Sequence, residues 1–473
     1  MSLRLVLTEC RLPAPVCPFF PTLAPFKWFA MKKVLVAVFF ACLFVSLQAQ
    51  PGYQPSAANM QSRTWFDSAR FGIFIHWGAS SVLGHGEWVM NNRNIHVPEY
   101  RRLIDIFNPQ AFDADAWAAT AKKAGMQYIT LITRHHDGFS LWDTKQSDWK
   151  VTNTPYGKDI VKQLAAACQK QGIKLFFYYS LLDWYRSDYQ YETGRTGKGT
   201  GRTQKSHWPS YINFMKAQLT ELLTQYGPVA GIWFDGHWDQ LDNDHDKKGQ
   251  SKVDWKYEEI YSLIHRLQPG CMIGNNHHLQ PIEGEDFQMF EKDLPGGNTT
   301  GFGGASVSQL PLETCETIND SWGFNITDRN YKSTEGLVQY LAKAAGYGAN
   351  FLLNIGPMPN GAIQPEFTER LEAMGKWLSK YGSTIYGTKG GYLRPQPWGA
   401  ITQRGNTHYL HVMKMPEEKM LLKVPALVKN LTTFDGGKSV PFEVLKDGYI
   451  AIDTRGIEKQ EYDTILQMET GNK

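Results

Sequence analysis

From Phe71 to Ile355, short runs of β-branched and aromatic residues alternate with stretches whose apolar positions repeat at helical spacing, and few folds accept that order. Parallel strands need crossover segments of a dozen or so residues, and helices supply them. Eight runs have strand character: residues 71–77, 127–133, 174–180, 230–235, 271–275, 286–291, 313–318 and 350–355. Amphipathic stretches at 114–123, 159–171, 211–225, 257–267, 334–345 and 366–380 lie among and after them. The pattern predicts an α/β fold, a (β/α)8 TIM-like barrel. The barrel must be irregular, because only about ten residues separate the fifth and sixth runs, too few for a crossover helix.

After Tyr392 the helical period stops. Alternating strands follow, separated by turn signals at Arg404-Gly405-Asn406, Asp435-Gly436-Gly437 and Asp447-Gly448. The expected organisation is a barrel over 55–388 and a small C-terminal antiparallel β-sandwich over 391–473. Ahead of the barrel, Met31-Lys32-Lys33 opens a charged segment, and residues 34–45 form an apolar run shorter than the ~20 residues of a membrane-spanning helix. Residues 31–49 read as a secretory signal peptide cleaved near Ala49, so the mature chain is expected to be exported, periplasmic or extracellular, with no membrane span. Residues 1–30, Pro-rich and irregular, read as an extension preceding the true start at Met31. Cys42 raises a lipoprotein alternative, against which Phe39-Phe40-Ala41 is a weak lipid-attachment signal.

The 49 basic and 46 acidic residues include no basic run, which argues against nucleic acid as a partner. Removing residues 1–49 takes away Arg4, Arg11, Lys27, Lys32, Lys33 and Glu9, leaving 44 basic against 45 acidic residues. It leaves three cysteines, Cys168, Cys271 and Cys315, too scattered for a disulfide framework or a metal motif.

In such a barrel the chemistry sits at the C-terminal ends of the strands, so polar residues that close apolar runs are the candidates. The first run ends in Ile75-His76-Trp77-Gly78 and the second in Arg134-His135-His136-Asp137-Gly138. The third ends in Tyr178-Tyr179-Ser180, the fourth in Trp233-Phe234-Asp235-Gly236 and the sixth in Phe290-Glu291. Asp235 stands out, since it closes a buried run with no basic residue beside it; the plainer alternative is a turn Asp before Gly236. Glu291 is a second carboxyl, or else a surface partner of Lys292. Two carboxyls across a barrel mouth suit glycoside hydrolysis, one as nucleophile and one as proton donor. Trp77, Trp88, Tyr178, Trp233, Trp238 and Trp322 fall near strand ends or loops, where rings can pack on the C–H faces of a sugar.

A rival reading is a metal-dependent hydrolase with His76, His135, His136, His237 and Asp235 as ligands. Against it, adjacent His135 and His136 project to opposite sides if their strand continues, and no His-x-His ends the first strand. A non-catalytic carbohydrate-binding protein is a third reading, which the β-rich C-terminal region allows and the paired carboxyls oppose.

Several segments, in order, resemble the α-L-fucosidases of glycoside hydrolase family 29. They are Trp65-Phe66, Phe71-Gly72-Ile73-Phe74-Ile75-His76-Trp77-Gly78, Gly86-Glu87-Trp88, Arg134-His135-His136-Asp137-Gly138-Phe139 and Tyr178-Tyr179-Ser180. They continue with Trp233-Phe234-Asp235-Gly236, Ile318-Asn319-Asp320-Ser321-Trp322-Gly323 and Asn350-Phe351-Leu352-Leu353-Asn354-Ile355-Gly356-Pro357. The resemblance implies a retaining exo-hydrolase in which Asp235 forms a covalent fucosyl-enzyme and Glu291 is the acid/base, with carboxyls ~5 Å apart. It implies that His76, Glu87, Trp88, His135, His136, Tyr178 and Trp233 line a fucose pocket, with Trp322 near the sugar's C6 methyl. Tyr178 is preferred to Tyr179 because it shares a strand face with Ser180. The implied partners are fucosylated oligosaccharides or glycoconjugates, without cofactor or metal. Two departures stand out: Ile273-Gly274-Asn275-Asn276-His277-His278 lacks the Arg many members carry after the fifth strand, and Glu283 and Glu285 rival Glu291. Linkage selectivity is expected from the loops at 185–208, 236–252 and 292–304.

Overall fold

A computed structural model describes residues 52–242, 249–302 and 305–471. The segments read as N-terminal extension and signal peptide lie outside the described residues, as do parts of the 236–252 and 292–304 loops. Among the described residues, no helix is long and apolar enough to cross a membrane.

Eight parallel strands form one sheet: β1 (Phe71–Ile75), β2 (Tyr128–Arg134), β3 (Lys174–Ser180), β4 (Gly231–Asp235), β5 (Met272–Asn276), β6 (Gln288–Glu291), β7 (Leu312–Thr317) and β8 (Ala349–Ile355). All eight are the apolar runs of the sequence, with ends shifted by a residue or two. Their spatial order is β5-β4-β3-β2-β1-β8-β7-β6, so the sheet curls into a barrel with one seam, between β5 and β6. Helices cover its outside, including α2 (Ala114–Lys123), α3 (Ile160–Gln171), α4 (Trp208–Gln225), α5 (Tyr257–Leu267), α6 (Thr334–Tyr347) and α7 (Pro365–Tyr381). No helix joins β5 to β6, as the short spacing predicts.

An earlier helix, α1 (Ala57–Ala69), closes the bottom of the barrel. Ser56 caps it by accepting the Asn59 N–H, and fully buried Phe66 packs on the interior rings of Tyr128, Phe176 and Phe287. Those rings fill the space left by Gly72, Gly231 and Gly274, where a Cβ would lie 2.4 Å from a ring carbon. Large residues on some strands and none on their neighbours is how a narrow barrel reaches close packing.

The seam is held by a carboxylate. Asp286, fully buried, accepts the Ile273 backbone N–H of β5 at 2.8 Å and contacts His265 Nε2 of α5 at 2.9 Å. Its other oxygen accepts from Arg63 of α1 at 2.5 Å and from the Tyr53 hydroxyl at 3.0 Å. The Asp286 N–H in turn donates to Ile273 O at 2.7 Å. One side chain thus does what a strand ladder does elsewhere around the barrel.

The C-terminal region packs a five-stranded antiparallel sheet against a three-stranded one over a core that includes Leu410, Leu422, Ile452 and Leu466. It docks on the barrel through α7, whose Trp377 indole donates to buried Asp463 at 3.1 Å; Asp463 also pairs with His411 at 2.6 Å.

Asp286→Ala leaves the Arg63 guanidinium without its carboxylate and the seam without a bridge. Loss of one partner from a buried pair costs about 3–5 kcal/mol, and the urea midpoint should fall accordingly. A variant as stable as wild type would mean that something else closes the seam.

Candidate active site

The C-terminal ends of the strands open into a cavity of about 890 Å³. Every residue assigned to the site from sequence lines it: Asp235, Glu291, His76, Glu87, Trp88, His135, His136, Tyr178, Trp233 and Trp322. The strand pleat explains the selection, because inward and outward residues alternate. His76 faces in, whereas Trp77, grouped above with the sugar-packing rings, faces out and packs against Phe107, Phe112 and Trp117. Tyr178 faces in, while the Tyr179 hydroxyl turns away to Gln218.

For His135 and His136 the alternation argument fails. Strand β2 ends at Arg134, after a register irregularity between Ile132 and Arg134, so the two histidines no longer obey the pleat. Both line the cavity, with ring centroids 4.1 Å apart.

Asp235 closes β4 and collects four donors. Its Oδ1 accepts from the Gly236 N–H (2.8 Å), the Trp238 indole (3.0 Å) and Asn276 (3.4 Å), and its Oδ2 accepts from the Tyr178 hydroxyl (3.0 Å). Asn276 is paired with Asp235 in the β4–β5 register, and its amide also donates to Glu291 Oε2 at 2.8 Å. A single nitrogen therefore holds an oxygen of each carboxyl within about 6 Å of the other. Asn276 was missed from sequence, although the strand-end rule that found Asp235 also points to it; only its neighbourhood's lack of Arg was noted. The rivals of Glu291 lie elsewhere: Glu285 is buried against His277 and Tyr261, and Glu283 meets the Tyr53 backbone.

Burial sets the charge states. It pushes Asp235 from 3.8 up to about 6, with Glu291 adding to the rise and the Trp238 and Tyr178 donors opposing it. Burial likewise raises Glu291 and Glu87, the latter accepting the Gly323 N–H at 2.7 Å. The histidines move the other way: desolvation takes His76 down to about 3 and holds His135 and His136 well below their ordinary value, so all three are neutral.

Their hydrogen bonds then fix which nitrogen faces the cavity. Asn354 gives its N–H to Trp322 O, so its oxygen takes the proton of His76 Nδ1 at 2.6 Å, and His76 Nε2 is left as an acceptor. Ser180 spends its proton on Leu182 O, so its oxygen accepts from His136 Nδ1 at 2.7 Å, leaving Nε2 as acceptor 3.6 Å from Asp235. His135 Nδ1 is buried without a partner in the protein. Rings complete the walls. Tyr178 stacks on Trp233, whose indole is anchored from below by Glu313 at 2.8 Å; Trp88 stacks on Trp238, and Trp322 tilts over His76. Trp238, named from sequence only as a ring near a strand end, thus belongs to the site. Among the described residues, no group of three or more His, Cys, Asp or Glu is disposed to hold a metal ion.

An α/β barrel that sets two carboxyls this close at the rim of an aromatic pocket lined with neutral hydroxyl-binding groups has the architecture of a glycoside hydrolase. Comparison with known proteins narrows the class. The family model for α-L-fucosidase matches residues 41–383. The chain is 28% identical to the α-L-fucosidase of Dictyostelium discoideum, over 90% of this chain and 97% of that protein. It is 30% identical to tissue α-L-fucosidase of Homo sapiens, over 78% of each. Among solved structures it is similar to α-L-fucosidase isoenzyme 1 from Paenibacillus thiaminolyticus, with TM-score 0.76 and 31% identity over 88% of this chain and 100% of that one. It is also similar to a family 29 α-L-fucosidase from Bacteroides thetaiotaomicron trapped as a covalent intermediate, with TM-score 0.74 and 26% identity over 89% and 98%. The chain belongs to the α-L-fucosidase family, glycoside hydrolase family 29.

The raised Asp235 carboxyl carries a stability consequence. Its folded value of about 6 exceeds the unfolded value near 3.8, so its contribution to stability is present below pH 4 and lost as pH rises to 6. Asp235→Asn, which cannot ionise, should therefore be more stable than wild type at pH 7, by about 1–3 kcal/mol. The gain should vanish toward pH 4 in urea melts, and a pH-independent difference would refute the assignment.

Proposed function

We propose that the chain is a retaining exo-α-L-fucosidase that releases terminal α-L-fucose from glycans in two displacements. The observation that carries this reading is the Asn276 bridge. It keeps an oxygen of each carboxyl within about 6 Å of the other, which favours the ~5–5.5 Å arrangement of retaining enzymes over the ~6.5–9.5 Å of inverting ones. The covalent intermediate trapped in the Bacteroides relative supports the same chemistry.

Roles divide by hydrogen bonding. Asp235, whose four donors oppose the burial that raises it to about 6, is an anion at neutral pH and attacks the anomeric carbon. Glu291, with a single amide donor and a raised pKa, carries the proton to the leaving oxygen and then takes one from the water that releases fucose. As charge leaves Asp235 in the first step, its donors lose strength together, so their preorganisation opposes premature attack and favours return of the carboxylate in the second step. His76 and His136 offer acceptors to the sugar hydroxyls, and Trp322 an apolar face to the C6 methyl.

Asp235→Ala should lower kcat on an aryl fucoside by at least about 10⁴-fold. Glu291→Ala should lose far more on a fucosyl disaccharide than on an aryl fucoside with a good leaving group, and azide should restore turnover of the latter as fucosyl azide. Wild-type rates for Asp235→Ala, or equal losses on both substrates for Glu291→Ala, would overturn the assignments.

We also propose that the enzyme is exported to the periplasm or beyond, on the strength of the Lys32-Lys33 segment and the apolar run behind it. Expressed in a bacterial host, the mature protein should be recovered outside the cytoplasm with its N-terminus just after Ala49. A cytoplasmic protein retaining Met31 would contradict this.

A further inference from the structure

The cavity has more room than one monosaccharide ring needs, and exposure orders it from floor to mouth. His136, Tyr178 and Trp233 form the floor at 1–2% exposure. Asp235 and Glu291 stand above them with side chains 14% and 17% exposed. At the mouth, Phe302 is 47% exposed, an aromatic ring in the cavity wall with no protein over much of its surface.

Phe302 stacks on His278, with centroids 5.6 Å apart and planes at 26°. His278 in turn brings its Nε2 to 3.7 Å from Glu291 Oε2. The stacked pair and the second carboxyl are thus one continuous wall. His278 is also held in an uncommon backbone conformation, φ +62°, which a non-glycine residue keeps only when its surroundings impose it.

Those surroundings are visible. Neighbouring His277 accepts the Leu279 N–H on Nδ1 at 2.9 Å, so its Nε2 carries the proton and donates to buried Glu285 at 3.1 Å. Glu285 further accepts from Tyr261 and the Ile282 N–H at 2.9 and 3.0 Å. This buried frame stands where a regular barrel would have a crossover helix, and it projects His278 toward Glu291.

We propose that Phe302 and His278 form a leaving-group platform, which takes the C–H-rich face of the hexopyranose to which fucose is linked. The inference rests on the fucosidase reading and extends it to the other side of the scissile bond. A proton donor lies beside the leaving oxygen, so the wall continuous with Glu291 on the mouth side flanks the leaving group and not the fucose. An exposed ring there supplies dispersion and apolar contact without directional demands, which matches a pyranose face. Asn298 and Arg195 also line the cavity wall.

The test compares two substrates of the full-length enzyme. α-L-Fucosyl fluoride has no sugar leaving group; the second substrate is whichever fucosyl-hexose disaccharide the wild type cleaves best from an α1,2, α1,3, α1,4 and α1,6 panel. Phe302→Ala should lower the ratio of kcat/KM for disaccharide over fluoride by about tenfold, mainly through KM for the disaccharide. Phe302→Tyr, which keeps the ring, should keep the ratio. A drop of less than about threefold in Phe302→Ala, or an equal drop in Phe302→Tyr, overturns the platform. If wild type fails on fucosyl fluoride itself, the fucosidase reading is at fault, and the platform falls with it.

Discussion

Asp286 stands where the barrel lacks a ladder of backbone hydrogen bonds. Elsewhere each strand is gripped by its neighbours, but β5 and β6 are each paired on one side only, and a buried carboxylate joins them. Its partners come from α1, β5 and α5, so the N-terminal helix meets the 257–276 stretch, about two hundred residues further along the chain, at one side chain. Such a buried ionic cluster adds little net stability over an apolar substitute, because desolvation offsets the attraction, but it tolerates only one geometry. Function depends on that geometry. Asn276 ends β5 and Glu291 ends β6, so the width of the seam sets the distance between the carboxyls that the amide spans.

The seam also shapes what lies above it. Without a crossover helix, the 277–287 connection has no regular structure to satisfy its polar groups, and the His277–Glu285–Tyr261 network does so instead. A helix would have carried the chain away to the outside of the barrel. The irregular connection stays at the rim and keeps His278 beside Glu291. Burial then acts on His76, His136, Asp235 and Glu291 in the same direction, toward neutrality: the two histidines lose their protons and the two carboxyls hold theirs more tightly. What separates Asp235 from Glu291 is the number of donors turned toward each. The energetic cost of keeping two such groups in a dry cleft is the usual tension between stability and activity.

Much of this could be read from the chain. Strands buried on both faces must be apolar along their whole length, so the eight runs announce themselves, and the first polar residue after each run falls at the rim. His76, Tyr178, Asp235 and Glu291 are legible for that reason. His135 and His136 close a run in the same way, but that both face the cavity is not legible, because a strand irregularity cancels the alternation that would send them to opposite sides. Asn276 is hidden differently: an amide at a strand end has many uses, and its role exists only because two carboxyls from other strands converge on it. Trp77 shows the reverse error, a ring next to a site residue that the pleat sends into the core.

Residue order alone decides that this chain makes an α/β barrel with a β-sandwich behind it, since hydrophobic period and turn chemistry are local properties. It decides which strand ends carry acids, histidines and rings. It cannot decide distances across the barrel, because these follow from how eight strands and a seam close in space. The spacing of Asp235 and Glu291, the tautomers of His76 and His136, and the stacking of Phe302 on His278 all arise between residues remote in sequence. Only the closed tertiary structure brings such partners within hydrogen-bonding reach and removes the water that would otherwise weaken their effect on one another.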